Sequence, residues 1–164
     1  MLTIAKYPQE ILRKKADEVS RFDAELRKLA SDMAEIMYAD DGIGLAAPQV
    51  SKTIRLVVVG KADKKSYQAY VNPEITFSST DLTTTDEGCL SLPGIFGLVK
   101  RPKKIHLNYQ NLDGQRCSEK IKGMLAVVLQ HEIDHLQGVL FIDRAEKITQ
   151  GRDILDKIRN GSQQ

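Results

Sequence analysis

The sequence has few cysteines and no long apolar segment. Only two of the 164 residues are cysteine, Cys89 and Cys117, and a chain of this length can bury a core without disulfide bonds. No apolar run approaches the ~20 residues that span a bilayer. The opening stretch MLTIAKYPQE lacks the apolar core and cleavage site of a secretory signal. We therefore predict a cytoplasmic protein with reduced thiols and no membrane contact.

A strong charge of either sign is also missing. Lys and Arg number 24 and Asp and Glu number 22, which gives a formal net charge of +2. This near balance argues against nucleic acid as an obligate or specifically recognised partner. The length suits one domain, and no repeat or linker divides the chain. We predict a single domain over residues 1–164.

The apolar periodicity predicts helices that flank a block of strands, which is an α+β fold. The segment FDAELRKLASDMAEIMYADDG has helical spacing, with Asp23 as its cap. YPQEILRKKADEV predicts a short N-terminal helix or turn, and ITQGRDILDKIRNGSQQ predicts a short terminal helix with a frayed end. Strands are predicted for IRLVVV and for YQAYVNP and EITFSST, the last two separated at Asn72-Pro73. The segment GLVKRPKKIHLNYQNLDGQRCSEKIKG predicts two strands joined by a turn at Asp113-Gly114.

The segment GMLAVVLQHEIDHLQG predicts a helix with a metal-binding motif, ending near Gly138. His131 and His135 are four residues apart, so both can direct a ring nitrogen at one ion. Glu132 is one step around the helix and can take a proton from metal-bound water, as in H-E-x-x-H zinc hydrolases. The alternative is a helix that contains two histidines and binds no metal.

Other residues of this helix allow two interpretations. Met124, Val127 and Val128 project toward the side of the two histidines, where they form either an apolar pocket wall or ordinary core packing. Asp134 is predicted to be a solvated surface charge, the alternative being a hydrogen-bonding partner within the site.

A catalytic metal site usually needs a third protein ligand. His106 is the one other histidine, and the alternating segment KKIHLNYQ predicts a strand-surface or core role for it. The segment EGCLSLPG, residues 87–94, offers Cys89, whose thiolate would be a strong ligand for zinc or iron(II). The alternative is that Cys89 is a small buried apolar residue.

A third segment, GIGLAAPQ, would by itself be an apolar loop between a helix and a strand. Taken with the other two, it makes the sequence resemble the peptide deformylases, metalloenzymes that remove the formyl group from nascent N-formylmethionyl polypeptides. The family patterns G-x-G-x-A-A-P-Q, E-G-C-L-S and H-E-x-x-H stand intact at Gly42–Gln49, Glu87–Ser91 and His131–His135. The resemblance implies antiparallel or mixed sheets packed around a central HExxH helix, in one catalytic domain.

The resemblance also implies a set of catalytic and metal-binding residues. Cys89, His131 and His135 would bind the metal, and Glu132 would act as general base and then as proton donor to the leaving amine. The remaining catalytic groups would be hydrogen-bond donors to the tetrahedral oxyanion, namely the backbone N–H of Leu90 and the side-chain amide of Gln49.

The substrate contacts implied by the family involve backbone and apolar groups. The peptide would lie extended between Ile43–Gly44 and Gly88, with its methionine side chain in a pocket. The pocket would be built partly by Ile43, Met124, Val127, Val128 and His131. Glu87 would pair with Arg101 to fix the cysteine loop, residues 87–94. The alternative is a solvated Arg101.

The family resemblance further implies one divalent metal, natively Fe²⁺, with Zn²⁺, Ni²⁺ or Co²⁺ also accepted. The expected partners are N-formylmethionyl nascent peptides and, transiently, the ribosome; we expect a monomer. The alternative enzyme is a metallopeptidase that uses the same helix on peptide bonds. A non-catalytic metal-binding or ribosome-associated module is the alternative of a different class.

Overall fold

The computed structural model of the protein describes residues 1–161, which form two antiparallel sheets and four α-helices. The α-helices are α1 (Ala24–Ala39), α2 (Met124–Leu136), α3 (Phe141–Arg144) and α4 (Arg152–Gly161). The strands are β1 (Gly44–Ala46), β2 (Leu56–Gly60), β3 (Tyr67–Ser78), β4 (Leu82–Cys89), β5 (Leu92–Pro102), β6 (Lys104–Gln110), β7 (Arg116–Lys122) and β8 (Lys147–Gln150). Two 3₁₀ helices are Glu10–Arg13 and Ala47–Val50.

The helix with the HExxH motif lies at the centre of the fold. Five strands pair in the order β1-β2-β3-β6-β7 and three in the order β4-β5-β8, and α2 contacts strands of both sheets. Ten residues of α2 are buried, and four of them are the polar residues Gln130, His131, Glu132 and His135. The predicted α+β fold, with sheets packed around the HExxH helix and further helices toward both ends, is confirmed.

The helix predictions differ from the structure mainly at the two ends of the chain. Asp23 caps α1 as predicted, its carboxylate accepting a hydrogen bond from the Leu26 N–H at 3.1 Å. The N-terminal segment forms only the short 3₁₀ helix, whereas the tail adds β8 before α4. The frayed end predicted for the tail lies outside the described residues. No helix within residues 1–161 is long and apolar enough to cross a membrane.

The prediction of two strands separated at Asn72-Pro73 is wrong. One strand, β3, continues through both residues, because an irregularity in its pairing with β6 accommodates them. Asn72 adopts a left-handed backbone with φ of 51°. Its side chain accepts a hydrogen bond from Val19 N at 2.8 Å and donates to Val19 O at 2.9 Å and to Gln110 Oε1 at 2.8 Å. The side chain therefore stabilises a bulge where the sequence suggested a break.

The bulge gives a stability prediction. We expect Asn72→Ala to lower the free energy of unfolding by about 3 kcal/mol, because it removes three hydrogen bonds and leaves a β-carbon in a left-handed backbone. Asn72→Gly should cost about 1 kcal/mol less, because glycine tolerates the positive φ. Urea unfolding measures both values. Losses below about 0.5 kcal/mol in both variants would contradict this role.

Several strands differ from those predicted from the sequence. The strand predicted to begin at GLVKRP is two strands, because β5 ends at Pro102 and β6 begins at Lys104. The predicted turn between β6 and β7 is present, with Gly114 at φ of 82°. Strands β1 and β4 were not predicted, and each lies at the edge of its sheet beside α2 or the cysteine loop. Strands β1 and β4 thus border the site described below.

Candidate metal centre and active site

Three potential metal ligands converge where β4 ends beside α2. One ligand atom from each of Cys89, His131 and His135 lies within 4.8 Å of the others. The helix brings the two histidines together, and Cys89 is the last residue of β4, just after a register shift in its pairing with β5. Cys89 Sγ lies 3.4 Å from His135 Nε2. The three residues predicted as ligands are therefore close enough to bind one ion.

His106 is half-buried on β6, where its ring lies 4.6 Å from that of Phe77. It is not part of the Cys–His–His group. This placement agrees with the strand role predicted for it, and the third ligand atom comes from the cysteine loop.

Glu87 determines which nitrogen of His131 is available. Although burial opposes its ionisation, hydrogen bonds from His131 and Arg101 lower the pKa of Glu87 to about 2. The carboxylate is therefore only an acceptor, and His131 Nδ1 donates to Glu87 Oε1 at 2.8 Å. The Nε2 lone pair of His131 is left for the metal, as is usual for histidine ligands that donate through their other nitrogen.

The environments of the two imidazoles differ. Burial lowers the pKa of His135 well below its usual range, so the ring is neutral and can bind a metal. Burial also opposes protonation of His131, but hydrogen bonding with Cys89 and Glu87 outweighs it and raises the pKa of His131 well above the usual range. The electron-rich neighbours that attract a proton to this ring would equally attract a metal ion.

Glu132 is a buried carboxyl group beside the ligands. Only 5% of the residue is exposed, and burial raises the pKa of Glu132 to about 7. Within residues 1–161, Glu132 Oε2 and His135 Nδ1 are the buried side-chain atoms without a hydrogen-bond partner. An unpaired buried polar atom is unfavourable unless a substrate or solvent group completes it. Glu132 is therefore placed to exchange a proton with a bound molecule.

A cavity of about 750 Å³ opens beside Glu132. The six predicted substrate-binding residues all line it: Ile43, Gly44, Gly88, Met124, Val127 and Val128. Val127 and Val128 are buried wall residues, whereas Ile43 and Met124 are 61% and 64% exposed at the surface. The apolar side of α2 thus faces a cavity as well as the core. Phe96, an exposed aromatic residue opposite Gly88, also lines the cavity and was not predicted from the sequence.

The two predicted oxyanion donors flank Cys89. Gln49 lies in the 3₁₀ helix Ala47–Val50 and is 1% exposed. Its Oε1 accepts from Ala46 N at 2.9 Å, which directs Nε2 toward Ser91 Oγ at 3.2 Å and Cys89 Sγ at 3.4 Å. Leu90 follows Cys89 in the turn before β5, and its carbonyl accepts from Lys6 Nζ at 2.8 Å. The turn and the glutamine amide are thus both held in place.

The predicted Glu87–Arg101 pair is present and extends further than expected. Arg101 Nε and Nη2 donate to the two carboxylate oxygens of Glu87 at 2.6 and 2.9 Å. Arg101 Nη1 also donates to Asp134 Oδ2 at 3.0 Å, and Arg144 donates to the same carboxylate. The prediction of a solvated Asp134 is therefore wrong, because its side chain is 15% exposed and paired with two arginines.

The fold and this combination of side chains define a metal-dependent hydrolase with an HExxH helix. A family model described as polypeptide deformylase matches residues 1–151. The peptide deformylase of Desulfotalea psychrophila is 45% identical over 152 residues, covering 90% of this chain and 89% of that relative. The chain belongs to the polypeptide deformylase family.

Two further comparisons support this assignment. The crystal structure of peptide deformylase from Thermotoga maritima matches with a TM-score of 0.86 at 42% identity, covering 90% of this chain and 99% of that chain. The chloroplastic peptide deformylase 1B of Oryza sativa subsp. japonica is 40% identical over 163 residues, covering 98% of this chain and 59% of that relative. The predicted deformylase activity is confirmed through the family, and the metallopeptidase alternative is not favoured.

Proposed function

We propose that this chain hydrolyses the formamide bond of N-formylmethionyl nascent polypeptides and releases formate. The observation that carries the proposal is the convergence of Cys89, His131 and His135 within 4.8 Å, with the buried carboxyl of Glu132 facing the same cavity. Holding an ion would need only the three ligands. The additional unpaired carboxyl group supports catalysis over a purely structural metal site.

The side chains present fit one divalent metal ion. One sulfur and two imidazole nitrogens are a donor set that suits iron(II) or zinc, and we propose Fe²⁺ as the native ion, with Zn²⁺, Ni²⁺ or Co²⁺ also accepted. When bound, the ion would supply Lewis-acid polarisation of the formyl carbonyl and stabilise negative charge. Cys89, His131 and His135 hold it, and the other residues act on water and substrate.

Glu132 is proposed to move the proton. Its carboxylate would accept a proton from the attacking water and deliver it to the amine that leaves as the carbon–nitrogen bond breaks. A pKa of about 7, raised by burial, suits a group that must both take and give a proton near neutral pH. The unpartnered Oε2 atom provides the acceptor.

Gln49 and Leu90 are proposed to stabilise the oxyanion. The Gln49 Nε2 group is already directed toward Cys89 Sγ, and the Leu90 N–H belongs to the peptide that follows this cysteine. Both donors are fixed before the substrate arrives, so little reorganisation is needed during the reaction. Removal of one such donor typically lowers turnover by about 10²–10³-fold.

The substrate peptide is proposed to bind between two sheet edges. Strand β1 is an edge of the five-stranded sheet and β4 an edge of the three-stranded sheet, so both present backbone groups for an extended peptide. Ile43–Gly44 and Gly88 would make these backbone contacts. The methionine side chain would enter the apolar end of the cavity, against Val127 and Val128.

The proposed use of Gly44 gives a test of this geometry. A β-carbon at Gly44 would lie 2.9 Å from both Glu132 Oε1 and Val128 Cγ1. We expect Gly44→Ala to lower kcat/KM about 10²-fold with metal content unchanged, because the catalytic carboxyl must shift. Gly161→Ala is the control, since a β-carbon there meets nothing within 4 Å. Steady-state formate release measures both, and activity near wild type in Gly44→Ala would contradict the placement.

We further propose a cytoplasmic monomer that contacts the ribosome only transiently. The two free cysteines, Cys89 and Cys117, support a reducing compartment. Light scattering measures the oligomeric state, and co-sedimentation with ribosomes measures the contact.

The activity is tested by formate release from formyl-Met-Ala-Ser with anaerobically purified enzyme. We expect formate and free Met-Ala-Ser as products, and no cleavage within an unformylated peptide of the same sequence. Chelation should abolish the reaction, and Fe²⁺ should restore it. Internal cleavage without formate release would support the metallopeptidase alternative instead.

A further inference from the structure

We infer that Asp134 and Arg144 are positioning residues for the metal centre, acting through Arg101 and Glu87 on the imidazole of His131. The inference rests on the proposed metal site. Neither residue lines the cavity, so neither is expected to touch the substrate.

A continuous series of charged hydrogen bonds leads from the metal ligand to the protein surface. His131 donates to Glu87 at 2.8 Å, and Arg101 donates twice to Glu87 at 2.6 and 2.9 Å. Arg101 then donates to Asp134 at 3.0 Å. Arg144 closes the series from α3, its Nε and Nη2 donating to Asp134 Oδ2 and Oδ1 at 2.7 and 3.0 Å.

The orientation of Arg101 depends on both carboxylates. The residue is 3% exposed, and Nε, Nη1 and Nη2 each donate a hydrogen bond, so its planar guanidinium is fixed between Glu87 and Asp134. The positive charges of Arg101 and Arg144 balance the negative charges of Glu87 and Asp134. Loss of the Asp134 charge would leave Nη1 of this buried guanidinium without its charged acceptor, and Glu87 alone would then orient Arg101.

The carboxylate of Asp134 also links three elements of the site by hydrogen bonds. Asp134 lies on α2 between the two histidine ligands, Arg101 lies on β5 and Arg144 on α3. Partners beyond the ligands fix ring orientation, and their loss typically lowers metal affinity 10–100-fold. Because Asp134 and Arg144 are further from the ion than Glu87, we expect effects of about tenfold, at the low end of that range.

A second arginine–carboxylate pair involves α3 and provides a control. Arg13 donates to Asp143 Oδ2 and Oδ1 at 2.6 and 3.1 Å, again a two-bond pair between an arginine and a carboxylate. Arg13 is 41% exposed and Arg144 49% exposed. The Arg13 pair also involves α3 but has no hydrogen-bond connection to Glu87 or Arg101 among the described contacts. Arg13→Gln therefore removes a half-exposed ion pair outside the series, together with a hydrogen bond to Gly138 O at 3.1 Å.

The test compares the wild type with Asp134→Asn, Arg144→Gln and Arg13→Gln, each loaded anaerobically with Co²⁺. The rate at which a chelator removes cobalt and the cobalt absorption bands are measured, neither of which depends on deformylation. We expect cobalt release about tenfold faster in Asp134→Asn and Arg144→Gln, with altered bands, and a change below twofold in Arg13→Gln. The melting temperatures of metal-free Arg144→Gln and Arg13→Gln are measured as well, so that a loss of stability is distinguished from faster cobalt release.

Two results would overturn the inference. Cobalt release at the wild-type rate from Arg144→Gln, which is half-exposed and expected to fold, would show that the series does not reach the metal. Equal acceleration in Arg13→Gln would show a general effect on α3. If the wild type itself binds no cobalt through a thiolate, the proposed metal site is wrong. This result is distinguishable from the two results above, which compare variants that bind cobalt.

Discussion

Replacing Glu132 with glutamine is expected to lower kcat for formate release by about 10³–10⁴-fold while leaving one metal ion per chain. Proton transfer by a positioned side chain typically contributes about 10²–10⁴-fold, and here one group is proposed to serve both proton transfers. Glutamine has nearly the same shape but cannot accept a proton. The three proposed metal ligands are unchanged, so the variant should lose catalysis while its metal content stays the same.

Stability gives a second readout on the same variant. Glu132 Oε2 is buried without a hydrogen-bond partner, and burial disfavours the ionised carboxyl. Its replacement by a neutral amide should therefore leave the melting temperature unchanged or raise it. Glu35→Gln, the same chemical change on the exposed face of α1, is the control and should retain full activity. Loss of less than tenfold in Glu132→Gln would remove this residue from the proposed mechanism.

Replacing Cys89 with alanine is expected to abolish both tight metal binding and activity. It removes the sole sulfur of the ligand group, so the loss of affinity should exceed the 10–100-fold typical of an outer hydrogen-bond partner. A ligand that binds only the folded state stabilises it by about 4 kcal/mol at a thousandfold excess over its Kd. Added metal should therefore raise the melting temperature of the wild type but not that of Cys89→Ala.

The second cysteine provides the matched control for this experiment. Cys117 is also a free, partly buried cysteine, but it lies on β7 outside the ligand group. Cys117→Ala should bind metal and release formate as the wild type does, which excludes a general effect of removing a thiol. If Cys89→Ala retained metal with unchanged affinity, the ion would have to be bound elsewhere.

Helices α1 and α2 and the Cys89–His131–His135 cluster could be predicted from the sequence for identifiable reasons. Helix α2 has the H-E-x-x-H spacing, which places His131 and His135 on one face by backbone geometry alone. The position of Cys89 relative to that helix depends on the pairing of β4 with β5 and could not be obtained from spacing. The order of the three segments along the chain, as a family pattern, supplied that information instead.

Two features that depend on tertiary contacts were predicted wrongly. Pro73 indicated a strand end, but the hydrogen bonds of Asn72 with Val19 and Gln110 keep β3 continuous. Asp134 was predicted to be solvated because acidic helix residues usually are. Its two arginine partners lie 33 residues before it and 10 residues after it, and no local pattern indicates such pairs.

The central claim is that one ion, bound by Cys89, His131 and His135, carries out the hydrolysis together with Glu132. The most direct measurement is X-ray absorption at the metal edge, on anaerobically purified protein whose formate release is assayed in the same sample. We predict one metal per chain with one sulfur and two imidazole nitrogens among its ligands, and activity proportional to metal content. An active sample whose metal has no sulfur ligand would contradict the account.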